Sequence, residues 1–535
     1  MKGARFVSGG DRLGSGEGQE ADEDCVADRG DLKVRNVVAR LTVFGKWLCY
    51  IGALLVLSID NVTFAQGRVI DWTEPVNLSN TEVSSSQPAV AVDPYGNVHV
   101  FWSEDVGGEL VERGTGPRTG NTIYYTRWDG KNWSEPIDIF FTTAQGNYFG
   151  YPSVAVTPDG FIHLAWRAVD GIHYSHVPAY APPGAGAWAA ERIIAQAAGE
   201  DSPRLVADSS GGLHLTYARW RSAVDGQKDG NVYYQNSVDG GLSWSSPIQV
   251  STIPLKDKAI AGLPRLAIQN EGKIIHLVWY EVGPPDWIGG KIFYARSLDG
   301  GQSWTWPLDI AHVKGAEKWT SHANIGVGGK GEIVITWVCG ESAGRCSRQS
   351  QDRGQTWNAA RHVFGDLISL AGWDTLVSDG MGNLYWILQL RFPEAMYYSV
   401  WTDRGWSDPP VPFITSGPMA YAHYPDATIR LGNKISLVMV DQNIGEIYYA
   451  SGQTDGLANP PAPTPSPILT LHASATPPPE RSPMSTASSA ADLAASAPPS
   501  GSFGGPGAAV LAGVLPVAIL IGLVVIGRFG LKRRH

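Results

Sequence analysis

Seven times between residues 87 and 439 the chain repeats one unit. An apolar run is followed by a turn ending in Gly, then by a second apolar run that often carries His and an aromatic residue. The copies are "QPAVAVDPYGNVHVFW" at 87, "YPSVAVTPDGFIHLAW" at 151, "SPRLVADSSGGLHLTY" at 202, "LPRLAIQNEGKIIHLVW" at 263, "HANIGVGGKGEIVITW" at 322, "WDTLVSDGMGNLYWIL" at 373 and "YPDATIRLGNKISLVM" at 424, spaced by 51–64 residues. A period of this length means an array of small units, since no single unit can bury its own apolar face. Most copies add a third run ending in aromatics, such as "IYY" at 123, and a fourth, such as "SEPIDIF" at 134. Four short strands per unit, repeated radially, predict a β-propeller. The 20 Trp, 20 Tyr and 63 Gly suit short strands joined by tight turns.

The seventh copy stops after its third strand, at "IYYASGQTDG". The fourth strand it lacks has a counterpart at the other end of the domain, where "DWTEPVNLS" (71–79) matches "NWSEPIDIF" (132–140). An N-terminal strand that fills the vacancy would close the ring and leave no unpaired edge. The expected fold is therefore all-β, a seven-bladed propeller closed by its N-terminal strand.

Between the third and fourth strands lies a second repeat. It reads "SVDGGLSW" at 237, "SLDGGQSW" at 297 and "SQDRGQTW" at 350, with worn versions at "WDGKNW" (128) and "TDRGW" (402). Asp239, Asp299 and Asp352 can accept backbone N–H groups in the turn, Gly241, Gly301 and Gly354 can take positive φ, and Trp244, Trp304 and Trp357 can fold back over the blade. Repetition around a ring marks a folding element, not a catalytic one. By the same reasoning His99, His163, His214 and His276, at one strand position in four copies, are packing residues and not metal ligands.

This Ser-x-Asp-x-Gly-x-Ser/Thr-Trp element resembles the Asp-box, or BNR, repeat of the sialidase superfamily. The resemblance implies a propeller, six-bladed in the family, and a glycan ligand, with sialidase-type hydrolysis as the alternative activity. The Arg-Ile-Pro motif of catalytic members is not present, Ala89 stands where an Arg would, and no catalytic residue is carried over. If the chain is an enzyme, Tyr280 and Glu281 are the candidates for a nucleophile and its partner.

Both ends read as targeting segments. Basic residues precede "WLCYIGALLVLSI" (47–59), and "TFA" follows at 63–65, the layout of a secretory signal. Residues 507–527 hold no charge and suit a bilayer span; Arg528, Lys532, Arg533 and Arg534 follow, which places the C-terminus in the cytoplasm. A Pro/Ser/Ala-rich stretch precedes the span. The expected domains are an N-terminal extension and signal peptide (1–65), the propeller (66–456), a stalk (457–504), and a transmembrane anchor with a basic tail (505–535). The protein would then sit in the cell membrane by a single pass, as a monomer, with the propeller outside. In that oxidising compartment Cys339 and Cys346, flanking "GESAGR", are expected to form a disulfide. The net charge of −10, without a basic stripe, argues against nucleic acid, and no residue cluster calls for a metal or other cofactor.

The residue after the Pro-equivalent position changes from copy to copy: Ala89, Ser153, Arg204, Arg265, Asn324, Thr375 and Asp426. Arg204, Arg265 and Asp426 are therefore candidate ligand residues at the mouth of the ring, joined by Arg219 and Arg391 at strand ends. Paired guanidinium groups suit a carboxylate, as in an acidic sugar. The expected role is binding of a carbohydrate or a cell-surface protein.

Overall fold

The computed structural model describes residues 69–464 apart from short internal stretches, chiefly 107–120, 143–148, 220–229, 284–289, 312–319 and 366–372. The signal peptide, most of the stalk and the transmembrane anchor expected from the sequence lie outside the described residues. Among those described, no helix is long and apolar enough to cross a membrane.

Seven antiparallel sheets follow one another along the chain, five of four strands and two of five. In blades I to VI the strands pair in chain order, A to D. The innermost A strands are Ser85–Val92, Gly150–Val156, Glu200–Ala207, Ile260–Gln269, Ser321–Val327, Thr375–Ser378 and Ala422–Arg430, in blades I to VII. The ring closes as the orphan strand anticipates. Asp71–Trp72 and Val76–Asn77 pair with Glu446–Gln453, in the registers Asp71↔Gln453 and Val76↔Tyr449. The propeller therefore has seven blades, not the six of the alternative count.

The core lies between the blades. Each B strand presents a large side chain at one repeat position: Trp102, Trp166, Tyr217, Trp279, Trp337, Leu388 and Met439, all with essentially no exposure. Burying each contributes about 1.5–3 kcal/mol. Three residues earlier the repeated His ties strand to strand. Nδ1 of His163, His214 and His276 each lies 2.7 Å from a strand-C Tyr hydroxyl, those of Tyr174, Tyr234 and Tyr294. Nε2 meets an A–B turn residue: Thr157, Asp208 or Gln269. His99 does the same with Tyr125 and Asp93. These are packing residues, as the repetition implied.

The same tyrosines explain the second repeat. In each turn the Asp carboxylate accepts backbone N–H groups, as from Ser243 to Asp239 (2.9 Å), and the Ser hydroxyl accepts the Gly N–H, as from Gly241 to Ser237 (2.9 Å). Trp244 then meets the Tyr174 ring of the preceding blade edge-on at 5.4 Å; Trp304 on Tyr234 and Trp357 on Tyr294 repeat the contact. The turn Gly packs against that Tyr as well. A Cβ on Gly301, at φ +92°, would lie 2.1 Å from the Tyr234 ring. Gly301→Ala should therefore cost about 2 kcal/mol through overpacking and left-handed strain. A urea melt unchanged by the substitution would show that the turn is not pressed against the neighbouring blade.

Burial holds these imidazoles neutral. Desolvation pushes His163 down to about 4 and His276 down to about 3, with smaller pushes from the His176 imidazole and the Arg296 charge respectively. The unfolded chain takes up protons below about 6.5 that the folded chain refuses, so stability falls as pH drops from about 6.5 toward 4. Each such imidazole costs up to about 1.4 kcal/mol per pH unit in that window. Asp239, held near 2 by the Ser243 hydroxyl and N–H, extends the loss to lower pH. Glu281, raised by burial to about 6, runs the other way between about 6 and 4.5. Calorimetry from pH 7 to 4 should show the melting temperature dropping, with a shallower slope for His276→Gln. Equal slopes would remove His276 from the account.

Cys339 and Cys346 are joined by a disulfide across the B–C hairpin of blade V. After the last strand the chain does not leave freely. The Thr454 N–H bonds to Asn433 O, the Asn459 N–H to Leu431 O and the Ala462 N–H to Pro94 O. The segment thus crosses the A–B turns of blades VII and I. This is the face of the A–B and Asp turns, opposite the face where the A strands begin.

Candidate functional site at the mouth of the central channel

Near its start the A strand is interrupted in all blades but VI. In six blades the pairing with strand B skips a step, as between Ser86 and Ala89 or between Gly262 and Arg265. At the skip sits a residue with positive φ: Gln87, Tyr151, Ser202, Leu263, His322 and Tyr424, at φ 43–54°. In five of the six the next residue is Pro, which has no N–H to lose from the ladder. The bulge turns two successive residues away from their sheet partners at the end of the strand nearest the axis. This device builds the site.

Arg204 and Arg265 come together there, on neighbouring blades III and IV. Arg204 Nη1 reaches Asp426 Oδ1 at 3.2 Å. Asp426 belongs to blade VII, which is not adjacent to blade III, so this ion pair spans the channel. The other oxygen of Asp426 accepts the Val90 N–H of blade I at 3.0 Å. Arg265 is half-buried and hydrogen-bonds to the Pro264 carbonyl at 3.2 Å. Among the described residues no carboxylate lies within ion-pair distance of it. Desolvation, and then repulsion from Arg204, lower its guanidinium to about 10, against a smaller pull from Asp426 and Tyr280. Arg204, Arg265 and Asp426 together leave one positive charge without a protein counter-charge.

Aromatic residues line the rest. Tyr280 stacks on His322 with centroids 5.7 Å apart, His322 and Trp373 meet edge to face at 4.5 Å, and Trp373 lies 4.2 Å from Tyr424. On blade II, the Arg167 guanidinium covers Tyr151 at 4.7 Å. Tyr280, His322, Trp373, Tyr424 and Tyr151 are all only half-buried. Burial, then the Arg345 and Arg265 charges, push His322 down to about 3, so its imidazole is neutral at physiological pH. Sequence reasoning selected the residue after Pro and missed the one before it. The signal was present: Tyr151 and Tyr424, and His322 and Trp373 in the copies without Pro, head their repeats.

Other candidates lie elsewhere. Arg219 lies 4.2 Å over the Tyr233 ring and donates to its hydroxyl, contacts within blade III. Arg391 ends a B strand of blade VI, and its side chain is outside the described residues. Tyr280 and Glu281 do not form a catalytic pair. Successive strand residues point to opposite faces, so Tyr280 turns to His322 while Glu281 accepts the Trp279 indole N–H at 3.1 Å on the other side of the sheet. Asp374 continues the wall of blade VI but is occupied by a buried bidentate pair with Arg345, at 2.6 and 2.9 Å.

No family profile matches the chain, and no curated protein is significantly similar to it in sequence. Among solved structures, a polysaccharide lyase described as an ulvan lyase superposes with a TM-score of 0.51 at 11% identity, over 72% of this chain and 97% of that one. A protein of unknown function from Dyadobacter fermentans gives 0.46 at 14% identity (72% and 99% covered), and a Hadza microbial sialidase 0.40 at 12% (72% and 97%). At these identities the likeness is one of fold: this chain is a β-propeller similar in fold to that lyase.

Proposed function

We propose that this protein is an extracytoplasmic, membrane-anchored, sialidase-like propeller with Asp-box turns that binds an acidic glycan or surface polymer at its channel mouth. The observation that carries the reading is Arg265. Its guanidinium has no carboxylate within ion-pair distance among the described residues, the nearby Asp426 being engaged by Arg204 and Val90, and it stands among half-buried aromatic residues, a setting in which small polar ligands are held. A carboxylate or sulfate would complete the charge balance, with Arg204 as a second donor beside it. The course of residues 454–462 supports the anchored arrangement. A stalk leaving the face of the A–B turns would aim the mouth away from the membrane. The alternative, a diverged exo-glycosidase of sialidase type, needs a Tyr nucleophile with an acidic partner and a carboxyl group as acid/base. Asp426 stands at the channel mouth without being sealed in the wall, but Arg204 and Val90 already engage both its oxygens.

A glycan array probed with the full-length protein should retain uronate-, sialate- or sulfate-bearing oligosaccharides over neutral ones. Arg265→Ala should weaken that binding at least tenfold, and Arg265→Lys less. Equal binding of acidic and neutral glycans, or an unaffected Arg265→Ala, would defeat the reading. Release of the fluorophore from a fluorogenic sialoside in the same preparation would favour the hydrolase instead.

A further inference from the structure

The anionic anchor accounts for Arg265 but leaves the aromatic sector of the mouth without a role. Trp373 lies between His322 and Tyr424, so one continuous aromatic surface runs from blade IV through blade VII. Two readings compete: a hydrophobic plug that seals the channel, or a platform that receives a ligand. Two observations separate them. A plug would be dry, whereas Tyr280, His322, Trp373 and Tyr424 each keep accessible surface. A plug would also satisfy its polar atoms. Yet the Trp373 indole N–H and the Tyr424 hydroxyl meet no protein partner among the described residues, and neither atom is sealed from solvent. Burial pushes the Tyr424 phenol up, so it stays a neutral donor.

We propose that Trp373, flanked by His322 and Tyr424, is a stacking platform for the C–H face of a pyranose ring, a subsite beside the anion position at Arg265. The flat indole offers area to the apolar face of the sugar at little entropic cost. The free indole N–H and phenol O–H supply donors at its edge for ring hydroxyls. The neutral His322 keeps that part of the surface uncharged. This inference rests on the acidic-glycan reading and names the part of the site that takes the sugar ring, where Arg265 takes its charge.

The test uses full-length protein with two probes, tetragalacturonate and the neutral cellotetraose, followed by calorimetric titration and ligand-observed saturation-transfer NMR. The expected result is binding of tetragalacturonate, weakened at least tenfold by Trp373→Ala and largely restored in Trp373→Phe, which keeps a stacking face. The melting temperature of Trp373→Phe should stay near that of the parent, so a loss confined to Trp373→Ala is not a failure to fold. If tetragalacturonate binds and Trp373→Phe and Trp373→Leu bind it equally well, there is no platform, and the acidic-glycan reading stands without it. If cellotetraose binds with the same Trp373 dependence and Arg265→Ala changes nothing, the platform stands and the anionic reading falls. Absence of any saturation transfer from either probe overturns both.

Discussion

Removing residues 66–80 should open the ring and abolish the cooperative melt of the propeller. The closing strand does more than complete a ladder. Trp72 stacks on Phe413 of blade VI at 4.3 Å, the Ile70 N–H donates to the Tyr398 hydroxyl at 2.9 Å, and the Ile447 N–H donates to Ser79. Ile70 and Leu78 are buried in two different inter-blade clusters, one toward blade VI and one toward blade I. Loss of these three apolar side chains alone forfeits about 5–8 kcal/mol. That is comparable with the whole net stability of about 5–15 kcal/mol of an ordinary domain. The truncation also exposes the edge of Glu446–Gln453, a template for pairing with another chain. Circular dichroism and light scattering on heating would read both effects. A truncated protein that melts like its parent, without aggregation, would mean that the N-terminal strand decorates the last blade and does not close the ring.

Asp374→Ala should cost more than any other single substitution proposed for this protein, at about 3–5 kcal/mol. Arg345 of blade V is fully buried, and Asp374 of blade VI takes both its Nε and its Nη2 protons, while the Trp386 indole N–H donates to the same carboxylate at 3.1 Å. Removing the carboxylate takes away the buried counter-charge that accepts two of the guanidinium's N–H groups between two blades, while the neutral carbonyl oxygens of Ala343 and Gln389 stay in place. The charge, not the missing volume, dominates the cost. A double variant, Arg345→Met with Asp374→Leu, should therefore recover most of the loss. Urea denaturation of the three proteins decides the matter. If the double variant is as unstable as Asp374→Ala, the effect is one of packing and the ion-pair account is wrong.

Much of this architecture is legible in the amino-acid sequence because it is local and periodic. The period of the A–B unit sets the number of blades. The orphan strand at 71–79 and the vacancy after "IYYASGQTDG" specify each other, since both derive from the same fourth-strand pattern. The Asp turns and the repeated His carry their structural meaning in the repetition itself, and the Cys pair flanks a hairpin short enough to bridge. Strand alternation could also have separated Tyr280 from Glu281 at that level, because neighbours on a strand cannot share a face.

The site was another matter. Arg204 meets Asp426 across 222 positions of sequence, and only the closing of the ring decides which of seven axial residues face each other. The left-handed bulge is equally hidden. It skips one step in the A–B register, and no alternation of apolar and polar residues marks where the skip falls. The Arg345–Asp374 pair joins two blades whose sequences give no sign of it. Periodicity records what every blade must do to pack against the next, because that requirement is the same seven times. The channel mouth is where the blades differ, and what those differences make together is set by their distances around the axis.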